Sequence, residues 1–268
     1  MTVLVQQQID QFDRDGAICL KSVLTPEQIE ELRNGVEYNL SHLSPLAKVV
    51  SEADDPGCFI EDFCTWQQNT FYRKFIFQPE IGMIAGLLMK SGVARLYHDH
   101  LLVKETNTRQ ATPWHQDQPY YNIDGKQNCS IWIPLDPISR DATLEFVAGS
   151  HKGPWLMPRS FRDNQAKWFP EGTLAELPDI EADRNRFHII GWPVEPGDIV
   201  CFHMLTLHAA RGPDPGQRRR VFSLRFIGDD ITFTPRNWRT SPPFDGLDND
   251  LPVGAPMVHP LFPIVWSK

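Results

Sequence analysis

Polar and apolar positions divide the chain into a helical opening and a strand-rich body. Val5 to Phe12 is a short, mainly polar stretch with helical character, and Ala17-Ile18-Cys19-Leu20 is an apolar run that reads as a strand. Thr25-Pro26-Glu27-Gln28 carries the signals of a helix start, with Thr at the cap, Pro at the first helical position and an acid in the first turn. Ile29, Leu32 and Val36 continue that helix on one face, and a second helix is predicted over Gln78 to Lys90. From Ala94 the period changes. The stretches 94–104, 130–135, 143–147, 198–202 and 219–226 are short and β-rich. Turn clusters such as Pro196-Gly197-Asp198 and Gly212-Pro213-Asp214-Pro215-Gly216 separate them. Short strands with no helices between them predict a sandwich or jelly roll.

Two stretches are less regular. Residues 151–193 carry charges, prolines, Trp155 and Trp168, and are long for a loop, which suits a lid or an active-site wall. Residues 236–268 are Pro-rich with scattered apolar positions and read as a tail packed on the body or on a neighbouring subunit. The expected organisation is one domain over 1–268, mainly β with flanking helices. It has a helical part over about 1–93, a β core over about 94–230 containing the 151–193 insertion, and the tail over about 236–268.

Composition narrows the functional classes. Hydrophobic residues at 41% and charged residues at 22% are ordinary for a globular protein able to bury a core. A net charge of −8 and a single short basic run, Arg218-Arg219-Arg220, speak against a nucleic-acid surface. No stretch approaches a membrane span, and the polar N-terminus lacks a secretory apolar region. The five cysteines are odd in number and form no C-x-x-C pair, so they read as buried thiols in a reducing compartment. The expectation is a cytoplasmic monomer or homodimer acting on a small molecule.

The chemistry concentrates in Thr112-Pro113-Trp114-His115-Gln116-Asp117-Gln118-Pro119. Two prolines argue against a helix, and on a strand residues two apart point to one face. His115 and Asp117 would then present an imidazole and a carboxylate side by side. A third ligand is available in His208, at the end of a predicted strand running from Gly197 to about Leu207, with His203 as the replacement candidate. Two His and one carboxylate on one face of a metal leave open positions, an arrangement typical of non-haem Fe(II) oxygenases. A lone His-x-Asp is a weak signal, because many strands carry such a pair as a surface hydrogen-bonding couple. A further feature at a fixed offset strengthens it. Arg219 lies eleven residues after His208, where a loop and a returning strand would place a guanidinium able to grip a carboxylate. Arg218 and Arg220 compete for this role. They share a strand face with Phe222, Leu224 and Phe226, whereas Arg219 shares one with Val221, Ser223 and Arg225, the more polar face and the better lumen wall.

At this point the sequence resembles the phytanoyl-CoA dioxygenase family. The resemblance is carried by Pro113-Trp114-His115-Gln116-Asp117, by 130–136 (SIWIPLD), by 144–152 (LEFVAGSHK), by Pro196-Gly197-Asp198 through His208, and by Arg219-Arg220-Val221. The opening Phe12-Asp13-Arg14-Asp15-Gly16 and Leu24-Thr25-Pro26-Glu27 matches as well, so most of residues 8–228 is covered. The resemblance implies a double-stranded β-helix with Fe(II), 2-oxoglutarate and O2. It implies His115, Asp117 and His208 as metal ligands and Arg219 as partner of the far carboxylate of 2-oxoglutarate. It places Trp132 near the co-substrate, His100 beside it, and His98 as a more remote, substrate-side neighbour. Two departures matter: Ala210, and the His98-x-His100 pair, unusual enough to be a decoy metal site. Ala210 stands where a small polar residue often helps hold 2-oxoglutarate, so a hydrogen bond is missing or supplied elsewhere. Asp117 is intact where the related halogenases have a small residue, which argues against halogenation.

The reaction implied is decarboxylation of 2-oxoglutarate to succinate and CO2 coupled to hydroxylation of a C–H bond. Two other classes use the same triad: a cupin-like binding or sensing protein without turnover, and a zinc hydrolase. Neither gives Arg219 a reason for its offset. Gly149-Ser150-His151 reads as a turn, since adjacent residues do not face one another as a nucleophile and base must.

Overall fold

The computed structural model describes residues 4–158 and 173–268, so Trp168 and the middle of the 151–193 stretch lie outside the described residues. Helix α1 (Gln6–Asp15) stops at Gly16, whose φ of 77° suits a residue without Cβ. Strand β1 (Ala17–Leu20) follows, then α2 (Pro26–Ser41). Thr25 and Gln28 close a reciprocal cap on α2: the Thr25 N–H donates to Gln28 Oε1 (2.8 Å) and the Gln28 N–H to Thr25 Oγ1 (3.3 Å). Strands β2 (Lys48–Val49) and β3 (Phe59–Phe63) and helix α3 (Thr70–Ile76) are additions to the sequence reading. The predicted second helix is α4 (Pro79–Met89).

The body holds β4 (Val93–Lys104), β5 (Thr112–His115), β6 (Ile123–Asp124), β7 (Asn128–Pro134), β8 (Leu144–Val147) and β9 (Ile189–Ile190). It continues with β10 (Ile199–Phe202), β11 (His208–Ala210), β12 (Arg219–Ile227) and β13 (Thr232–Phe233), and the tail adds α5 (Leu247–Asp250) and β14 (Ile264–Ser267). A major antiparallel sheet runs β1-β10-β7-β12-β4-β3-β2, with β14 added beside β4. A minor sheet runs β5-β11-β8-β9. This is the expected jelly roll, mainly β with flanking helices.

Strand alternation decides what each face of the major sheet meets. Phe222, Leu224, Phe226, Ile131 and Ile133 face outward into a core with Leu32, Val36, Tyr72 and Phe75 of the helices. Tyr72 stacks on Phe222 at 4.0 Å between centroids. Burying each such side chain contributes about 1.5–3 kcal/mol, which anchors the helices to this face. Val221, Trp132, Val200 and Phe202 face inward toward Leu144, Phe146 and Ala210 of the minor sheet. The tail packs on the body: Leu247, Leu251, Met257 and Phe262 join a core with Tyr97, Tyr121 and Ile227.

Candidate active site

The strand that carries His115 ends there. Asp117 is not on a strand, as the spacing predicted, but in right-handed helical conformation (φ −74°, ψ −46°) at the start of a short 3-10 turn over Gln118–Tyr120. The turn is pinned because the N–H groups of Asp117 and Gln118 both donate to Met204 O, at 2.8 and 3.0 Å. The carboxylate nonetheless returns to its neighbour, with Oδ1 3.5 Å from His115 Nε2. The run from Gly197 to His208 also differs from a single strand. β10 ends at Phe202 in the major sheet, the chain turns at His203–Leu207, and His208 opens β11 in the minor sheet. There it lies directly opposite His115 in the antiparallel register.

His208 Nε2 is 3.7 Å from Asp117 Oδ1, and the three donor atoms all lie within 4.8 Å of one another. Donors about 2.1 Å from one ion sit about 3.0 Å apart at right angles and about 3.5 Å apart at the tetrahedral angle, so the three could hold a metal. Each imidazole is turned for the task. His115 Nδ1 lies 2.8 Å from Pro113 O and His208 Nδ1 2.8 Å from Thr206 O, contacts in which Nδ1–H donates and Nε2 is left with its lone pair. Burial and the neighbouring His115 lower His208 to about 3, so the ring is neutral. Burial alone would raise Asp117, but Arg225 and the two imidazoles hold its carboxyl well below the usual carboxylate range. The set is therefore a carboxylate and two imidazoles, all buried, a donor combination that suits a divalent cation. His203 points elsewhere: its Nε2 is 2.9 Å from Lys126 O.

The triad lines a cavity of about 320 Å3 between the sheets. Trp132, His100 and Arg219 line it too, along with Phe63, Tyr120, Phe202 and Val221. His100 stacks on Phe63 at 4.1 Å, with Nε2 3.6 Å from Glu61 Oε1. Burial lowers its pKa against the opposing pull of Glu61. His98 is not among the lining residues; its ring is buried between Tyr97 and Tyr121, each 5.3 Å away. His98 keeps the alternation of His100, lying opposite Arg225 in the ladder, and the bulge comes only beyond it, between His98 and Leu96; it is the cover of neighbouring rings that keeps His98 off the cavity wall.

Arg219 is on the inner face, and Nη1 donates to Ala142 O and to Arg211 O (3.2 Å). Arg218 and Arg220 point outward and pair with Glu37, Glu105 and Asp136. Three site residues escaped the sequence reading. Lys104, register partner of Arg219, lines the cavity at 1% exposure. Arg225 Nε donates to Asp117 Oδ2 at 2.9 Å, and Ser130 Oγ donates to the same oxygen at 3.2 Å. The only prior signal was parity, since Arg225 shares its face with Arg219 and Lys104 shares one with His100. Ser150 and His151 form no dyad: Ser150 Oγ donates to Val147 O at 2.7 Å and His151 Nε2 is 3.2 Å from Asp13 O.

The model of the family described as Phytanoyl-CoA dioxygenase (PhyH) matches residues 12–221, well over half of the chain. The chain belongs to the phytanoyl-CoA dioxygenase family. Its relatives include a probable phytanoyl-CoA dioxygenase of Caenorhabditis elegans, 25% identical over 241 residues, spanning 84% of this chain and 70% of that protein. The peroxisomal phytanoyl-CoA dioxygenase of Homo sapiens is 24% identical over 264 residues, spanning 86% and 70%. Among solved structures, the carbocyclase SnoK from nogalamycin biosynthesis superposes with a TM-score of 0.74 at 22% identity, covering 97% of this chain and 96% of that one. The epimerase SnoN in complex with Fe3+, alpha ketoglutarate and nogalamycin RO gives 0.75 at 18% identity, covering 97% and 98%. EctD from S. alaskensis with 2-oxoglutarate and 5-hydroxyectoine gives 0.66 at 18% identity, covering 90% and 81%. At these identities the superpositions establish the shared fold. The phytanoyl-CoA dioxygenase family is one of Fe(II)- and 2-oxoglutarate-dependent oxygenases, and the cavity brings together three residues that could hold iron and two buried basic side chains. No helix among the described residues is long and apolar enough to cross a membrane.

Proposed function

We propose that the protein hydroxylates a C–H bond of a small molecule, consuming 2-oxoglutarate and O2 and releasing succinate and CO2. The observation that carries this reading is the presence of two opposite kinds of site in one cavity. His115, Asp117 and His208 offer a set of donors that could hold a cation, while Lys104 and Arg219 offer two buried basic groups that form no ion pair among the described residues. A zinc hydrolase or a bare cupin-like binder would have no use for the second.

In this reading His115 Nε2, Asp117 Oδ1 and His208 Nε2 hold iron. Bound iron supplies the activation of dioxygen by 2-oxoglutarate decarboxylation. The far carboxylate of 2-oxoglutarate pairs with Arg219 and Lys104. Ala210 offers no hydroxyl, but its register partner Thr112 lines the same cavity, and its Oγ1 is 3.4 Å from Lys104 Nζ. We assign to Thr112 the hydrogen bond that Ala210 lacks. Trp132, Leu144 and Val221 form the apolar walls along the co-substrate, keeping water from the reacting atoms. His100 lies beside the co-substrate, and the wall built by Val50, Phe63, Tyr120 and Tyr121 is left to the substrate. Lys48 and Ser241, linked at 3.3 Å, join β2 to the tail at this wall. His98, being outside the cavity, acts at most through its packing. We place the protein in a reducing compartment such as the cytoplasm, in keeping with five free cysteines.

The test is succinate release from 2-oxoglutarate with Fe(II), across a panel of C–H substrates, with product oxygen traced by 18O2. Succinate formed in step with a product carrying one 18O is expected. No succinate above the iron-free control with any substrate overturns the oxygenase reading. Succinate with an isomerised or cyclised product lacking 18O would replace hydroxylation by the kind of outcome named for SnoN and SnoK.

A further inference from the structure

Asp117 has two carboxylate oxygens, and they are used differently. Oδ1 faces His115 Nε2 at 3.5 Å and His208 Nε2 at 3.7 Å. Oδ2 faces away and is taken by two donors, Arg225 Nε at 2.9 Å and Ser130 Oγ at 3.2 Å. These donors come from one place in the fold. Arg225 on β12 and Ser130 on β7 are direct register partners in the major sheet, whereas Asp117 follows β5 of the minor sheet. The contact therefore joins the two walls of the cavity at the metal ligand itself.

Arg225 is in turn held in place. Its Nη1 donates to Ser223 Oγ, and its Nε also reaches Tyr121 Oη at 3.3 Å. Its guanidinium carbon lies 5.9 Å from the Phe202 ring centroid. Arg225 is 4% exposed and Ser130 fully buried, so both donors to Oδ2 are largely desolvated. Oriented, desolvated charge-assisted bonds of this kind fix a carboxylate's rotation as well as its charge.

We propose that Arg225, assisted by Ser130, is a positioning residue that restricts Asp117 to binding the metal through Oδ1 alone. The inference rests on the triad reading above. A carboxylate free to rotate can chelate through both oxygens, and the second oxygen would occupy a position that the keto acid or dioxygen needs. With Oδ2 engaged, Asp117 would offer a bound metal one oxygen beside the two imidazole nitrogens, leaving room for the co-substrate. Arg225 thus acts on co-substrate binding through Asp117.

The experiment compares wild type, Arg225→Met, Arg225→Lys, Ser130→Ala and Asp117→Ala, each checked for folding by circular dichroism. Anaerobic titration with Co(II) gives metal affinity and the ligand-field spectrum; Fe(II) with 2-oxoglutarate gives the keto-acid charge-transfer absorption. Arg225→Met should bind Co(II) roughly ten- to a hundredfold more weakly, as loss of a partner of a metal ligand does. Its Co(II) spectrum should shift toward higher coordination, and its charge-transfer band should require more 2-oxoglutarate. Arg225→Lys should recover part of each effect, and Ser130→Ala should move the same readouts less. Wild-type Co(II) spectrum and charge-transfer titration in a folded Arg225→Met overturn the inference. If Arg225→Met does not fold, Ser130→Ala decides: an unchanged spectrum overturns it. Failure of the triad reading itself is distinct, because wild type and Asp117→Ala would then bind Co(II) alike.

Discussion

Lys104 and Arg219 are register partners at one end of the β4–β12 ladder, and both point into the cavity. Their side chains are 1% and 6% exposed. Lys104 Nζ sits 4.4 Å from the Phe59 ring centroid and donates to Gln110 O at 2.6 Å. Burial, then Arg219, holds the Lys104 ammonium well below its ordinary value, and burial lowers Arg219 to about 10. Two like charges brought together out of water are costly unless an anion joins them. A dicarboxylate co-substrate is such an anion.

The first expectation follows from this pair. Arg219→Ala should raise the apparent KM for 2-oxoglutarate about a hundredfold, equivalent to about 2.7 kcal/mol. Arg219→Lys should recover part, because Lys lacks the planar fork. Arg218→Ala and Arg220→Ala should change KM little, since both side chains pair with Glu37, Glu105 and Asp136 on the outer face, away from the cavity. Steady-state kinetics on the four variants checks this; equal losses at all positions would indicate general damage to β12 instead.

Lys104 should make co-substrate binding pH-dependent. Only its protonated form attracts a carboxylate, and its pKa is depressed, so the proton is lost as pH rises into a range where an exposed lysine stays charged. The apparent KM for 2-oxoglutarate in wild type should therefore climb with pH at values where an exposed lysine would still be charged. In Lys104→Met it should start higher and stay flatter. Parallel pH profiles for the two proteins would remove Lys104 from this role.

Metal should stabilise the protein through the triad. A ligand at a hundred times its dissociation constant adds about 2.7 kcal/mol to a fold that binds it only when native. Under those conditions anaerobic Fe(II), or Mn(II) as a probe, should raise the wild-type Tm by several degrees, and a chelator should reverse the shift. Asp117→Ala, which loses the one anionic ligand, should show no shift and no hydroxylation. A retained shift in that variant would place the metal elsewhere.

A prediction about stability concerns the docked tail. A Cβ on Gly86 of α4 would meet Trp266 Cζ3 at 2.2 Å, so helix α4 needs a glycine where β14 lies against it. Gly86→Ala should cost about 1–3 kcal/mol by overpacking, despite the better helix propensity of alanine. Chemical denaturation checks the sign. A gain in stability would mean that the 264–267 strand is not packed on α4.

Several features were legible along the chain because local chemistry encodes them. The cap at Thr25 and the strands expected at 94–104 and 219–226, which run 93–104 and 219–227 in the fold, follow from capping residues and from the two-residue alternation of a pleated strand. Arg219 facing inward and Arg218 and Arg220 outward is the same alternation, and it survives because Phe222, Leu224 and Phe226 are held against the helices. His115 and Asp117 were expected as neighbours from strand spacing, but it is the turn after β5, not a strand, that brings Asp117 Oδ1 to 3.5 Å from His115 Nε2. Sequence spacing did not reveal the form of that turn, because Met204 O, from a distant segment, sets it. Likewise, nothing local places His208 opposite His115, or Arg225 against Asp117 across 108 residues. Those contacts depend on which strands become neighbours. The order β10-β7-β12-β4 and the facing of the two sheets are chosen by burial of the whole core, a property of the folded chain that no short stretch of it carries.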